Sequence, residues 1–335
     1  MEQSVRPTPK TERAAPRDGV ARHYTFLLLD RFSLLSFAGA VDCLRIANRL
    51  AARDLYSWSL TGDGGAAKTC SAGVVFQLND DLGDPPRDAT IIVCGGLEVD
   101  QASTKRVLNW LRREARRGAV IGGLCTGAHT LAKAGLLEDK RATIHWENAD
   151  GFAEAFDDVE LTKRVFAIDG NRLTTAGGTA SIDLMLRLIA RDQGEDMANA
   201  VADQLIYSAI RTDRDQQRLS TPTRIGVRHP KLSEVIQKME RHIEEPISPA
   251  ILAREVDLST RQLERLFRRY LNRSPKRYYM ELRLSRARNL LLQTDMSVIN
   301  VALACGFTSP SHFSKCYRAH YKTTPYRERG SQAEP

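Results

Sequence analysis

A short helical pattern is written twice between Ser248 and Arg327, and this repetition constrains the fold more than any other feature of the chain. In the first copy a helix-like run over Pro249–Val256 reaches a break at Asp257, and Ser259 then caps a second helix over Thr260–Leu271. In the second copy Val298–Cys305 reaches a break at Gly306, and Ser309 caps Pro310–Tyr321. The second helices match at a constant offset of 50: Ser259 with Ser309, Leu263 with Phe313, Phe267 with Tyr317, Arg268 with Arg318 and Pro275 with Pro325. A short helix, a tight turn and a second helix opened by a hydroxyl at its N-cap make helix-turn-helix grammar. Gly306 suits a left-handed turn residue, and Asp257 is a tolerable substitute because short polar side chains visit that conformation at low cost.

The 3.6-residue period sorts each second helix into two faces. Leu263, Leu266, Phe267 and Tyr270 are expected to pack, leaving Arg261, Glu264, Arg265 and Arg268 outside. On the later helix Phe313, Cys316, Tyr317 and His320 are expected to pack, leaving Ser311, His312, Lys315 and Arg318 outward. Between the copies Pro275–Thr294 starts with Pro and is free of Gly, so it reads as one connecting helix, roughly 28 Å long at 1.5 Å per residue. Two helices held that far apart can enter successive major grooves, which recur every ~34 Å on one side of B-DNA. Charge agrees with this reading. From Pro222 onward there are 21 Lys and Arg against 11 Asp and Glu, whereas the rest of the chain has 28 against 30. All the excess positive charge sits on the segment with the doubled helices, as a phosphate-neutralising surface requires.

These residues resemble a known family. Leu-Ser-x-Arg-x-Leu-x-Arg-x-Phe at Leu258–Phe267, Ser274-Pro275, Arg283-Leu284-x-x-Ala287, Gly306-Phe307 and Thr324-Pro325-Tyr326-Arg327 look like the AraC/XylS-type DNA-binding domain. The resemblance implies base-edge contacts from Arg261, Glu264 and Arg265 of the first recognition helix and from Ser311, His312 and Lys315 of the second.

At 335 residues the chain exceeds one average domain, so two domains with tails are expected. Residues 1–22 carry three prolines and five basic residues and read as a disordered tail. From His23 the pattern alternates between apolar strands and helices. Strands are predicted over Tyr24–Asp30, Tyr56–Thr61, Val74–Leu78, Thr90–Cys94, Ala119–Leu124 and Ala142–Trp146, with a hairpin over Glu160–Thr175. Helices are predicted over Ser36–Arg49, Thr104–Arg117, Thr126–Ala134, Ala180–Arg191 and Asp196–Ile210. Continuous apolar strands separated by helices imply an α/β domain with a doubly wound, mostly parallel sheet, whose ligands sit at the carboxyl ends of the strands. A charged stretch with Pro222, Gly226 and Pro230 places the linker at 212–230, an all-α domain with two helix-turn-helix units follows over 231–327, and 328–335 is a polar tail.

One strand-to-helix junction carries chemistry. Gly123-Leu124-Cys125-Thr126-Gly127 is the cysteine version of the nucleophile elbow, a turn that sets the thiol at a helix N-terminus, where thiol pKa values fall and anions bind. With Cys125, His145 and this element order, the α/β segment resembles the ThiJ/PfpI, or class I amidotransferase-like, domain. Joined to an AraC-type domain, it looks like the amidotransferase-like branch of AraC regulators, which includes regulators of glycine betaine, carnitine and arginine catabolism. Leu124-Cys125-Thr126-Gly127-Ala128-His129 and Thr143-Ile144-His145-Trp146 are the stretches most typical of that branch.

PfpI-type hydrolases place a His directly after the elbow Cys, where this chain has Thr126, and the acidic residue of related proteins falls near Ser36. A cysteine hydrolase needs a base beside the thiol and a group to orient that base. The expectation is therefore no enzyme activity and a reused pocket, with Cys125, Thr126, His145 and Trp146 touching a small amine or amino-acid-like effector. Glu147 or Asp183 would supply a counter-charge, and Gly177-Gly178-Thr179 would offer amides to a carboxylate. The alternative is an active cysteine hydrolase fused to DNA-binding helices. The resemblance further implies double-stranded promoter DNA and RNA polymerase as partners, a homodimer and use as an activator. No cofactor, metal or membrane contact is expected: the six cysteines show no zinc spacing, and no apolar run approaches the ~18 residues of a membrane span. A cytoplasmic location follows as the expectation.

Overall fold

The computed structural model describes residues 21–217 and 229–330, so most of the N-terminal tail, most of the linker and the last five residues lie outside it. Two compact units divide between Gln217 and Arg218.

The first unit is built on strands β1 (Arg22–Leu28), β2 (Tyr56–Thr61), β5 (Thr90–Cys94), β6 (Val120–Leu124), β9 (Phe166–Asp169) and β10 (Arg172–Thr175), paired in the order β2-β1-β5-β6-β10-β9. All neighbours run parallel except β9, which folds back on β10 as a hairpin. Side chains alternate across each strand, and both faces are buried. Tyr24, Phe26 and Leu28 join a core with helices α1 (Leu34–Ala51), α6 (Ala180–Gln193) and α7 (Glu195–Gln204). Leu27, Ile91 and Val93 join the opposite core with α3 (Lys105–Arg116), α4 (Gly127–Lys133) and α5 (Ala149–Ala155). A one-turn helix, α2 (Val99–Ala102), precedes α3. The doubly wound, mostly parallel α/β class expected from the alternating pattern is thus realised.

Three local expectations are corrected. Val75–Gln77 is a strand, β4, but it pairs with β3 (Ala67–Thr69) in a separate hairpin and not with the main sheet. Around Ala142 only Arg141–Ala142 is extended and paired, as β7 beside β8 (Glu160–Leu161). From Thr143 onward, side chains replace the ladder. The Thr143 amide donates to the Thr174 hydroxyl at 2.9 Å, and the Thr143 hydroxyl lies 2.7 Å from the Arg164 carbonyl. Finally, the helix expected over Asp196–Ile210 stops at Gln204, because Ile206 turns left-handed at φ +55° and the chain leaves to reach Asp183.

The second unit is all helical: α8 (Pro230–Arg241), α9 (Pro249–Arg254), α10 (Thr260–Leu271), α11 (Pro275–Gln293), α12 (Val298–Ala304), α13 (Pro310–Tyr321) and α14 (Pro325–Gly330). Ser248, Ser259, Ser274, Ser297 and Ser309 each accept a backbone N–H at a helix start, which satisfies donors that otherwise lack partners. Two small cores result. Leu252, Leu263 and Phe267 anchor one, Val301, Phe313 and Tyr317 the other, and α11 contributes to both through Tyr279 and Leu284.

Candidate nucleic-acid interface and elbow-cysteine site

Each helix-turn-helix pivots on one left-handed residue, Asp257 at φ +52° in the first and Gly306 at φ +73° in the second. At Gly306 glycine is demanded twice, by the backbone angle and by space, since an added Cβ would lie 2.5 Å from the Ile243 carbonyl oxygen. Arg283 of α11 clamps the same turn. Its Nε donates to the Cys305 carbonyl at 2.8 Å, a terminal nitrogen donates to that of Gly306 at 2.6 Å, and the guanidinium stacks over Phe307 at 4.1 Å. In the first copy, Ser259 and Gln262 close a reciprocal capping box.

These turns aim α10 and α13. Leu263 and Phe267 are buried while Arg261, Glu264, Arg265 and Arg268 are exposed. On α13, Phe313 and Tyr317 are buried while Ser311, His312, Lys315 and Arg318 are exposed. His320 departs from its expected packing: it is exposed, with its ring against Tyr321 at 4.5 Å. His312 folds back along its helix to the Cys316 thiol, with Nε2 3.4 Å from Sγ. The six residues expected to meet bases therefore all lie on solvent-facing surfaces of the two helices.

In the α/β unit the elbow follows β6. Cys125 is left-handed at φ +58°, and the Gly95 amide donates to the Leu124 carbonyl, so the ends of β5 and β6 are stitched together beside it. The opposite wall is Gly177, where a Cβ would lie 2.5 Å from that of Cys125. The amides expected to receive a carboxylate are largely committed already: that of Gly177 donates to the Thr175 hydroxyl at 2.8 Å and that of Gly178 to the Ser36 hydroxyl at 2.7 Å. Ser36 thus stands behind the cysteine wall, as its alignment with the acidic position of related proteins suggests.

The expected low thiol pKa is not found. Burial pushes Cys125 up to about 11, outweighing the Thr126 amide that favours the thiolate, and the Glu147 charge adds to the rise. The thiol is protonated at neutral pH. Thr126 is buried and its hydroxyl donates to the Gly96 carbonyl at 2.7 Å, so only its main chain faces the sulfur. His145 is half-buried and lowered by burial, with its Nδ1 3.4 Å from the Glu147 amide and its ring beside Trp146 at 5.5 Å. Glu147 acts electrostatically on both Cys125 and His145, so its charge lies near both groups. Trp146, next to His145, is 43% exposed. Asp183 is elsewhere and already committed: Tyr207, the Arg211 amide and the Arg211 guanidinium, at 2.7 Å, surround a fully buried carboxylate. The counter-charge expected from it is therefore already neutralised by Arg211.

Among the described residues no cluster of three His, Cys, Asp or Glu could hold a metal ion, and no helix is long and apolar enough to cross a membrane. Sequence reasoning missed the close approach of Gly177 to Cys125 and the role of Arg283, although its motif was visible.

Comparisons with known proteins agree with this architecture. Residues 252–331 match the family described as Helix-turn-helix domain, and residues 25–191 match the DJ-1/PfpI family. The HTH-type transcriptional regulator GbdR of Pseudomonas aeruginosa is 45% identical over 309 residues, covering 92% of this chain and 84% of that protein. The HTH-type transcriptional regulator CdhR of the same species is 44% identical, covering 92% of each. A ThiJ/PfpI family protein from Pseudomonas syringae, 19% identical with TM-score 0.52 over 72% of this chain and 94% of that one, shares the fold. The chain belongs to the AraC-type transcriptional regulators that carry an N-terminal DJ-1/PfpI domain. It is a DNA-binding regulator of transcription.

Proposed function

We propose that this regulator reads a promoter through both helix-turn-helix units under the control of a small amine or amino-acid-like effector held beside Cys125. The observation that carries the DNA-reading part is the matched exposure of Arg261, Glu264 and Arg265 on α10 and of Ser311, His312 and Lys315 on α13, each opposite a buried aromatic face. The 19 residues of α11 separate the two helices by roughly 28 Å, near the ~34 Å recurrence of the major groove. The effector would meet the Cys125 thiol, the Thr126 amide, His145 and the face of Trp146, with Glu147 as counter-charge for a cation. Residues 23–211 would serve for sensing and homodimerisation, 212–230 as linker and 231–327 for DNA binding, with activation exerted through RNA polymerase in the cytoplasm.

If Arg265 reads a base edge, Arg265→Ala weakens binding to the operator by ~1–3 kcal/mol and leaves binding to unrelated DNA nearly unchanged. Equal weakening on both, measured by fluorescence anisotropy, makes it a phosphate contact instead. For the effector, a thermal-shift screen with glycine betaine, dimethylglycine, carnitine and arginine is expected to raise the melting temperature with one compound, since a ligand selective for the native state stabilises it. That shift should disappear in Trp146→Ala. A shift that survives this substitution would place the ligand elsewhere.

A further inference from the structure

The end of the α/β unit, residues 206–217, is an arm held by polar contacts. It starts at Ile206, 91% exposed and left-handed at φ +55°, a conformation strongly disfavoured for a β-branched residue. It is then pinned at Asp183 by Tyr207 and Arg211. Farther on it runs antiparallel to residues 163–165. The Val165 amide donates to the Asp215 carbonyl at 3.0 Å, and the Gln217 amide to that of Lys163 at 3.2 Å. A cleft of about 410 Å³ remains beside it, lined in part by Phe166, Leu186, Ile210 and Arg211, so the arm is not sealed by a continuous apolar core.

The last described residue of the arm reaches the segment that precedes His145. Gln217 Nε2 lies 2.8 Å from the Thr143 hydroxyl oxygen, 2.8 Å from the Ile144 carbonyl and 3.1 Å from the Arg164 carbonyl. Ile144 directly precedes His145. The other half of the same amide is unsatisfied, because Oε1 is buried with no hydrogen-bond partner among the described residues. The cost of leaving that buried acceptor unpartnered offsets part of what the donor-side contacts gain, so the contact depends on the position of Thr143–His145. From Gln217 the chain continues toward the DNA-binding unit.

We propose that residues 206–217 are a release strap, with Gln217 sensing the position of the Thr143–His145 segment and Asp183–Arg211 serving as its fixed anchor. Displacing that segment frees the Gln217 amide and with it the end of the arm. This mechanism rests on the reading that an effector binds beside Cys125 and His145, but the coupling itself is testable with no ligand present.

The test is hydrogen–deuterium exchange of the full-length protein, read peptide by peptide. Gln217→Ala should speed exchange about tenfold both in the arm and across residues 143–148, the change expected when hydrogen bonds of this kind are lost. Coupling is reciprocal, so His145→Ala, made at the other end of the contact, should speed exchange of the Val165 and Gln217 amides in return. Unchanged exchange in β1 and β5 verifies that each variant is folded, and if Gln217→Ala exchanges everywhere, His145→Ala decides alone. The proposal falls if the arm loosens in Gln217→Ala while residues 143–148 stay within twofold of the parent, or if His145→Ala leaves the arm unchanged. A failed amine screen would remove the effector reading without touching either result.

Discussion

His129, four residues past the elbow cysteine, shows how burial can dominate a titration even with an acid nearby. Its Nε2 is 4.0 Å from an Asp100 carboxylate, which favours protonation, yet burial holds the imidazole down at about 4 and Lys133 opposes a further charge. Its Nδ1 is buried with no hydrogen-bond partner among the described residues, and Phe156 meets the ring edge-on at 5.3 Å. The folded state therefore binds this proton less readily than the unfolded chain, whose reference value is 6.5. The stabilisation is complete above that value and is lost as pH falls toward 4, by up to about 3 kcal/mol. Urea titrations of the protein at pH 7 and pH 4.5 should show that loss, and His129→Leu should flatten it. The histidine stood in plain view within Cys125-Thr126-Gly127-Ala128-His129, but nothing local indicated that its ring would be enclosed by Phe156, 27 positions later.

At the scale of elements, the two helix-turn-helix copies solve one turn with different residues, and they should respond differently to substitution. Gly306→Ala forces a Cβ onto the Ile243 carbonyl at 2.5 Å in a left-handed conformation, and it should cost at least ~2 kcal/mol. Asp257→Gly relieves a milder strain at φ +52° and should stabilise by up to ~1 kcal/mol. Thermal melts of the two variants, followed by circular dichroism at 222 nm, test the contrast, and equal effects would mean that the turns are not set by these residues. The elements themselves were legible because helix signals are local: the five serine caps, the prolines at first turns and the apolar period all lie within a few residues of what they specify. The strand expected at Ala142–Trp146 was misread for the converse reason. Its partners, Thr174 and the Arg164 carbonyl, come from a hairpin about 20 to 30 residues away, so an apolar run identical to a strand is held by side chains instead of a ladder.

For the whole molecule, the consequence of two recognition helices on one rigid connector is that their contributions to DNA affinity should add. Arg265→Ala and Lys315→Ala lie on helices separated by α11 and share no partner, so the double variant should lose the sum of the single losses within ~0.5 kcal/mol. If each residue also neutralises one phosphate, each substitution should flatten the dependence of log affinity on log salt by ~0.9. A double variant no weaker than the worse single variant would show that only one of the two helices engages the DNA. The division of charge along the chain announced this function before any fold was known, since the excess of Lys and Arg lies wholly beyond Pro222.

The sequence by itself determined the class of both domains and the outward placing of the six candidate base-reading residues on α10 and α13, because those properties follow from short-range periodicity and from a repeat offset by 50 residues. Only the tertiary structure decided the character of the elbow site. The elbow motif argued for a thiol of low pKa, yet burial raises Cys125 to about 11, and Gly177, distant in sequence, closes against it. Asp183 was offered as a counter-charge, yet Arg211 reaches back 28 positions to neutralise it. Ionisation depends on what the folded chain removes from water and what it places nearby, and neither is written in the neighbouring letters.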